Sequence, residues 1–234
     1  MSGSDSDSVR ISVVQVLTVE QMREADRRAI EVLGIPSTVL MDRAGQAVFS
    51  YISGGPVVIV CGKGNNGGDG FVVARYCLLA GYDTSVIVLA REDELSKDAR
   101  IFRKVYTRLG GQCFEATSDS EVIAAFERQP ASLAWVDAML GTGTHGDVRG
   151  IVRTAIDHWR KARTIAVDIP SGLNADTGQV CGAAIVADET VTIQFLKIGF
   201  EVAKAKHFLG NVHVVDIGIP EVCGDDEAWK RLDF

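Results

Sequence analysis

The stretch that decides the fold is Pro56 to Leu79, PVVIVCGKGNNGGDGFVVARYCLL. It opens on an apolar, β-branched run, Val57-Val58-Ile59-Val60-Cys61, the composition of a strand buried on both faces. Gly62-Lys63-Gly64-Asn65-Asn66-Gly67-Gly68-Asp69-Gly70 follows, with five glycines in nine residues, and Phe71 to Leu79 then has helical character. Strand, glycine-rich turn and helix is how α/β proteins hold anions, because glycine lets backbone N–H groups approach and the first helical turn offers unpaired donors at a positive dipole end. Gly62-x-Gly64-x-x-Gly67 fits the dinucleotide fingerprint, a weak signal alone. The competing reading is a tight turn whose glycines only supply positive φ. Two features favour a ligand. The amides of Asn65 and Asn66 can donate and accept together, and Asp69 falls where the helix is expected to begin, as an N-cap or a ligand-orienting carboxylate.

Outward from this unit, strands and helices alternate. Upstream, Thr18-x-x-Gln21 is a capping-box pattern opening a helix on which Met22, Ala25, Ala29 and Leu33 keep helical spacing until Gly34. Ile35-Pro36-Ser37 reads as a turn, with Ser37 capping a second helix that carries Leu40, Ala44, Ala47 and Tyr51. Downstream, strands are expected over Thr84–Leu89, Gln112–Glu115, Leu133–Val136, Thr164–Val167, Glu189–Ile193 and Asn211–Val215, and helices over Leu95–Leu109, Ser120–Phe126 and Asp147–Trp159. This order predicts an α/β fold, a Rossmann-like three-layer αβα sandwich on a mostly parallel, doubly wound sheet with right-handed crossovers. One domain over residues 17–220 is expected, after a disordered Ser/Asp-rich lead-in at 1–16 and before a C-terminal tail at 221–234.

In such a sheet the ligand sits beyond the carboxyl ends of the strands. Three strand ends carry unusual chemistry: the glycine turn, Val136-Asp137 running into Gly141-Thr142-Gly143-Thr144-His145-Gly146-Asp147, and Val167-Asp168 running into Pro170-Ser171. Asp137 and Asp168 each directly follow an apolar strand, and a parallel sheet brings both near the glycine turn. Each also has an ordinary reading. An Asp after a strand often caps the next turn, Asp147 fits a helix cap, and His145 fits a solvated loop. Thr142 and Thr144 are phosphate donors or turn residues, and Lys197 is a ligand contact or a solvated charge. The three strand ends together carry the functional reading.

Composition narrows the classes. The 234 residues are 47% hydrophobic and 24% charged, enough for a substantial core and against global disorder. A formal charge of -7 is unlike a basic nucleic-acid footprint, so no nucleic acid is expected. The five cysteines, Cys61, Cys77, Cys113, Cys181 and Cys223, form no CxxC or Cys/His cluster, which argues against disulfide frameworks and zinc and fits a reducing, cytoplasmic setting. No apolar run approaches the ~18 residues of a membrane helix, and the start, MSGSDSDSVR, lacks the basic and apolar regions of a signal or transit peptide.

The blocks Gly64-Asn65-Asn66-Gly67-Gly68-Asp69-Gly70 and Asp168-Ile169-Pro170-Ser171-Gly172 together are specific. With Met22/Asp26/Ala29-Ile30, Gly34-Ile35-Pro36-Ser37, Val136-Asp137-Ala138 and Gly210-Asn211-Val212, they make the chain resemble the YjeF N-terminal-domain family, the NAD(P)H-hydrate epimerases, from about Leu17 to Pro220. The resemblance implies a Rossmann-like enzyme that interconverts the R and S forms of hydrated NADH and NADPH, so that a dehydratase can repair the S form. It implies a substrate site at Asn65, Asn66, Gly67, Gly68, Asp69, Gly141, Thr142, Gly143, Thr144, His145, Gly146, Asp147 and Asp168. Asp168 would be catalytic, and one potassium ion per subunit would lie at Asn66, Asp137 and Ser171, whose hard oxygen ligands suit a hard cation. A homodimer is expected, with the dehydratase supplied as a separate protein. Where the family commonly reads Met-Glu-Asn-Ala-Gly, this chain has Met41-Asp42-Arg43-Ala44-Gly45, and Thr192-Ile193-Gln194-Phe195-Leu196-Lys197 lacks the usual small-residue and proline pattern.

Two other classes compete. A scaffold of the same fold, as in mRNA-decapping factors, would be expected to have lost the aspartates, and this chain keeps Asp69, Asp137 and Asp168. An NAD(P)-dependent oxidoreductase would need a carboxylate after the second strand to hold a ribose, where Ala90-Arg91-Glu92-Asp93 stands, and would need a hydride-site constellation that does not stand out.

Overall fold

The central apolar run forms a strand because its side chains find a core on both faces. Val57, Ile59 and Cys61 point into one apolar layer, and Val58 and Val60 into the other. The computed structural model describes residues 14–232, so most of the expected N-terminal tail lies outside the described residues.

In chain order the helices are α1 (Val19–Arg27), α2 (Ser37–Phe49), α3 (Asn65–Leu79), α4 (Lys97–Arg108), α5 (Asp119–Glu127), α6 (Gly150–Asp157), α7 (Lys206–Leu209) and α8 (Asp226–Trp229). The strands are β1 (Val16–Leu17), β2 (Val57–Cys61), β3 (Thr84–Val88), β4 (Gln112–Glu115), β5 (Ala134–Ala138), β6 (Arg163–Val167), β7 (Glu189–Ile193), β8 (Leu196–Lys197) and β9 (Asn211–Val215). Seven strands form one sheet in the order β4-β3-β2-β5-β6-β7-β9, every neighbouring pair parallel. The chain moves outward from β2 through β3 to β4, then returns to the other side of β2 with β5. The reversal opens a crevice beyond Cys61 and Ala138, where an open α/β sheet receives ligands.

Helices α2, α3 and α4 cover one face with Met41, Val48, Phe71, Val72, Phe102 and Tyr106. Helices α5 and α6 cover the other, where Trp135 meets Phe126 and Trp159 edge-on at 4.9 and 5.2 Å. A third cluster joins α1 to the loops after β6 and β7 through Met22, Ala29, Ile169, Leu173 and Phe195. The doubly wound three-layer architecture is thus the expected one.

Local details follow from local chemistry. The Thr18 hydroxyl accepts from Gln21 N and the Gln21 side chain accepts from Thr18 N, the reciprocal capping box. Helix α1 passes into a π-helical turn over Arg28–Val32, where the buried Arg28 donates to Glu24, Asp226 and the Cys223 carbonyl. The stretch after Pro220 therefore lies against α1, with Arg28 over the Trp229 ring. Ser37 is not a cap: Pro36 occupies that position and Ser37 is already helical. Asp42 and Arg43, which depart from the family pattern, are engaged within the chain. Asp42 accepts from Arg75 and Tyr76, and Arg43 donates to the Ile217 carbonyl.

The largest difference from the sequence expectation lies in the glycine block. Only Gly62-Lys63-Gly64 form the turn; Asn65 to Gly70 already belong to α3, which starts at Asn65 with Gly64 as N-cap. None of Gly62, Gly64, Gly67, Gly68 and Gly70 has positive φ. Gly62, Gly67, Gly68 and Gly70 are required by close approach, whereas nothing lies within 4 Å of a Cβ on Gly64. A Cβ on Gly67 would lie 2.0 Å from the Gly62 carbonyl oxygen, and one on Gly68 2.6 Å from the Met41 sulfur. Asp69 consequently sits a full turn inside the helix and does not cap it. Asp147 does not cap α6 either, which begins at Gly150 with Arg149 as N-cap.

Candidate active site

The first turn of α3, the loop after β5 and the ends of β6 and β7 enclose a cleft of about 1020 Å³. Parallel strands deliver their C-terminal loops to one edge, so residues distant in sequence meet there. Asn65 and Asp69 line the α3 wall, the whole segment Gly141 to Asp147 lines the opposite wall, and Asp168 lies between β6 and β7. Thr144 folds back, its hydroxyl donating to the Gly141 carbonyl at 3.0 Å, and His145 is exposed at the rim. Gly67 and Gly68 are buried under the cleft wall, and their Cα atoms face protein rather than the opening.

Asp137 and Ser171 meet one layer below the cleft surface, and Asn66, which lines the cleft, joins them through Leu140. Asp137 ends β5 and is fully buried. It accepts from Ser171 N at 2.7 Å, the Ser171 hydroxyl at 2.6 Å and Met139 N at 3.2 Å, all neutral donors. Leu140 joins the third member: its N–H donates to Ser171 Oγ at 2.9 Å, and its carbonyl accepts from Asn66 Nδ2 at 3.0 Å. Burial pushes the Asp137 carboxyl up to about 6, against the lowering by the Ser171 and Met139 hydrogen bonds. The donor set is one carboxylate with neutral amide, hydroxyl and carbonyl oxygens. It suits a hard monovalent ion, and no group of three His, Cys, Asp or Glu side chains that could hold a metal occurs among the described residues.

Asp168 has φ +67°, a left-handed conformation that non-glycine residues adopt at a cost of roughly 1–3 kcal/mol. The carboxylate is held by Lys197, which ion-pairs with Oδ1. Lys197 is 1% exposed, so the solvated-charge reading does not hold. Asp26 on α1 and Asp69 on α3 are the other carboxyls of this cluster. Desolvation within the cleft, then the Asp168 charge, raises Asp26 from 3.8 to about 6, although the residue as a whole is exposed. Desolvation, then Asp168 and Asp26, raise Asp69 well above the usual carboxylate range.

Sequence reasoning assigned no role to Asp26 and left Lys197 open. The available signals were a charge beside the buried helix face Met22, Ala25 and Ala29, and a lysine inside the apolar run Phe195-Leu196-Lys197-Ile198. Of the carboxylates after β3, Glu92 is paired with Arg103, which also holds Glu115 at 2.6 Å, while Glu94 lines the cleft.

The family model described as YjeF-related protein N-terminus matches residues 37–199. The chain is 38% identical over 210 residues to an NAD(P)H-hydrate epimerase of Rhodopirellula baltica, covering 87% of this chain and 84% of that protein. It is 37% identical to an NAD(P)H-hydrate epimerase of Lentilactobacillus buchneri, covering 88% and 96%. A bifunctional NAD(P)H-hydrate repair enzyme of Salinibacter ruber is 39% identical over 98% of this chain, which spans 45% of that longer protein. A crystal structure of a yeast protein superposes with TM-score 0.69 at 22% identity, covering 87% of each chain, a likeness of fold.

Proposed function

The chain belongs to the family of YjeF-related N-terminal domains, and from that premise we propose that it is an NAD(P)H-hydrate epimerase, an isomerase acting on the R and S hydrates of NADH and NADPH. The observation that carries the reading is Asp168, an ion-paired carboxylate in a cleft at the topological switch point, facing two further carboxyls. A cleft of this volume accommodates a nucleotide. The N–H groups opening α3 at Asn65, Asn66 and Gly67 suit the pyrophosphate, and the Gly141–Asp147 loop suits the nucleotide's flank. The hydrated ring then lies toward Asp168.

Inversion at the carbon bearing the added hydroxyl needs no oxidant. The hydroxyl takes a proton and leaves as water while the ring nitrogen lends its electron pair. Water then returns on the other face and gives up a proton, and the nitrogen recovers its pair. Asp168 is the group proposed to exchange protons with that oxygen. Asp137, Asn66 and Ser171 would hold a potassium ion, whose charge would offset Asp137 beside the pyrophosphate. A homodimer, a cytoplasmic location and a separate dehydratase that consumes the S form belong to the same proposal. The Salinibacter ruber relative is by name a bifunctional NAD(P)H-hydrate repair enzyme.

A coupled assay tests the reading. With R hydrate and an excess of S-specific dehydratase, the protein should raise the initial rate of NADH or NADPH recovery above the uncatalysed interconversion. A rate equal to that background would reject it.

A further inference from the structure

Lys197 is the most buried basic side chain among the described residues. Its ammonium contacts Asp168 Oδ1, the Phe195 carbonyl at 3.2 Å and the Ile193 carbonyl at 3.3 Å, so its three protons are all matched to oxygens. Asp168 Oδ1 also accepts from Ile193 N at 3.0 Å and the Thr192 hydroxyl at 3.5 Å. Every one of these donors falls on the same oxygen. Oδ2 is left without a protein donor among the described residues, on a side chain that lines the cleft.

The backbone around this contact is built to hold it. Asp168 and Gln194 are the two non-glycine residues with positive φ among those described, at +67° and +59°, and they end adjacent strands. The turn at Gln194 supplies both carbonyls that hold Lys197. Gln194 Oε1 fixes that turn by accepting from Ile217 N at 2.9 Å and Ile219 N at 3.3 Å. Lys197 itself is set by β8, which pairs with β1 in parallel register, Leu17 opposite Lys197. A buried ammonium with this many fixed partners does not repay its desolvation by general stability. Its effect is to select one conformation of one carboxylate. Asp69 and Asp26 face the same pair from α3 and α1 and draw on the same single positive charge.

We propose that Lys197 is a positioning residue for the chemistry at Asp168: it fixes Oδ1 so that Oδ2 faces the substrate. This rests on the epimerase reading. In that reaction Asp168, through Oδ2, gives the departing hydroxyl its proton and takes one back from the returning water, so the carboxyl ends each turnover as it began.

The test compares Asp168→Asn, Lys197→Met and the double variant by initial rate in the coupled assay. Lys197→Met should lower kcat by about 10²-fold or more with KM within about threefold of wild type, since the loss lies in acid–base positioning and not in nucleotide binding. The double variant should be no slower than Asp168→Asn alone, because Lys197 acts through the carboxylate already removed. A Lys197→Met protein with full kcat, or a double variant slowed by the product of the two single effects, overturns the proposal. Should Lys197→Met fail to fold, the double variant, which removes both charges of the pair, still makes the comparison with Asp168→Asn. A crystal structure of Lys197→Met or of the double variant reads the positioning without substrate: residue 168 should leave the left-handed region, and its staying there would contradict the role. If wild type does not exceed the background rate, the epimerase reading fails while that structural readout still decides Lys197.

Discussion

The two ends of the sheet are made from the same strands and differ in almost every physical respect. At the amino ends, Arg163 opens β6 and reaches Glu189 at the start of β7 and the Tyr51 carbonyl at 2.9 Å. That arginine is 33% exposed, and His213 beside Glu189 is equally open. At the carboxyl ends, the Lys197–Asp168 pair joins the ends of the same two strands, with the lysine 1% exposed and both turns left-handed. The first pair is half-buried and sits on ordinary strand backbone. The second is desolvated, held by strained backbone and surrounded by further carboxyls. Parallel strands explain the asymmetry. Loops, helix N-termini and unpaired N–H groups all collect at one edge, so ligand chemistry and its strain collect there too.

This contrast predicts where substitutions hurt, and how. The largest effect is expected for Asp168→Asn, which keeps the shape but cannot cycle a proton. Its epimerisation rate should fall by about 10²–10⁴-fold, or ~3–5 kcal/mol in barrier, while calorimetry shows the hydrate still bound. Near-full rate with the hydrate bound would reduce Asp168 to a binding residue and erase the functional side of the contrast.

Next is Gly67→Ala, a stability effect at the same end. The added Cβ would stand 2.0 Å from the Gly62 carbonyl oxygen, backbone that cannot swing aside. Overpacking of this kind costs about 1–3 kcal/mol or more, so thermal denaturation should show Tm lowered by several degrees. An unchanged Tm would return the glycines to the role of turn formers.

A smaller effect of opposite sign is expected for Asp26→Asn. The Asp26 carboxyl titrates near 6 in the folded protein against an ordinary 3.8, so the native state retains a proton that the unfolded chain releases. Stability from this group is complete below about pH 4 and is lost as pH rises through about 6. Asn, which cannot ionise, avoids that loss. The variant should melt above wild type at pH 7.5, by no more than about 2 °C for a carboxylate this exposed, and level with it at pH 4. A difference independent of pH would contradict the assignment. The smallest effect is expected for Arg163→Ala at the amino end, where a part-exposed pair is worth at most about 1 kcal/mol and the rate should be unchanged. A substantial rate loss there would break the comparison outright.

Much of the fold was legible along the chain. The strands over Val57–Cys61, Gln112–Glu115, Glu189–Ile193 and Asn211–Val215 stand where β-branched runs meet breakers, and the structure has them at those bounds. The grouping of Asn65, Asp69, Asp168 and the Gly141–Asp147 loop followed from a parallel sheet, because strand ends must share an edge. The start of α3 was not legible. Five glycines in nine residues carry so low a helix propensity that a loop is the natural local reading, and it is overridden by packing. The boundaries at Ser37 and Asp147 fail similarly: Ser and Asp suit an N-cap in any sequence, but a neighbour's backbone decides whether the helix starts there.

What the amino-acid sequence determined by itself was the alternation of strands and helices, the edge at which chemistry would collect, and the carboxylates standing on it. These depend on periodicity and on residue type, which are local. What only the tertiary structure decided was which charge each carboxylate faces. Asp168 and Lys197 are separated by 28 intervening residues and meet because β6 pairs with β7, both strands end in left-handed turns, and β8 is pinned against β1. Desolvation and partner geometry determine what a charged side chain does, and both are properties of the packed chain. A lysine in an apolar run announces only that it must be satisfied somewhere; the fold chooses the carboxylate that satisfies it.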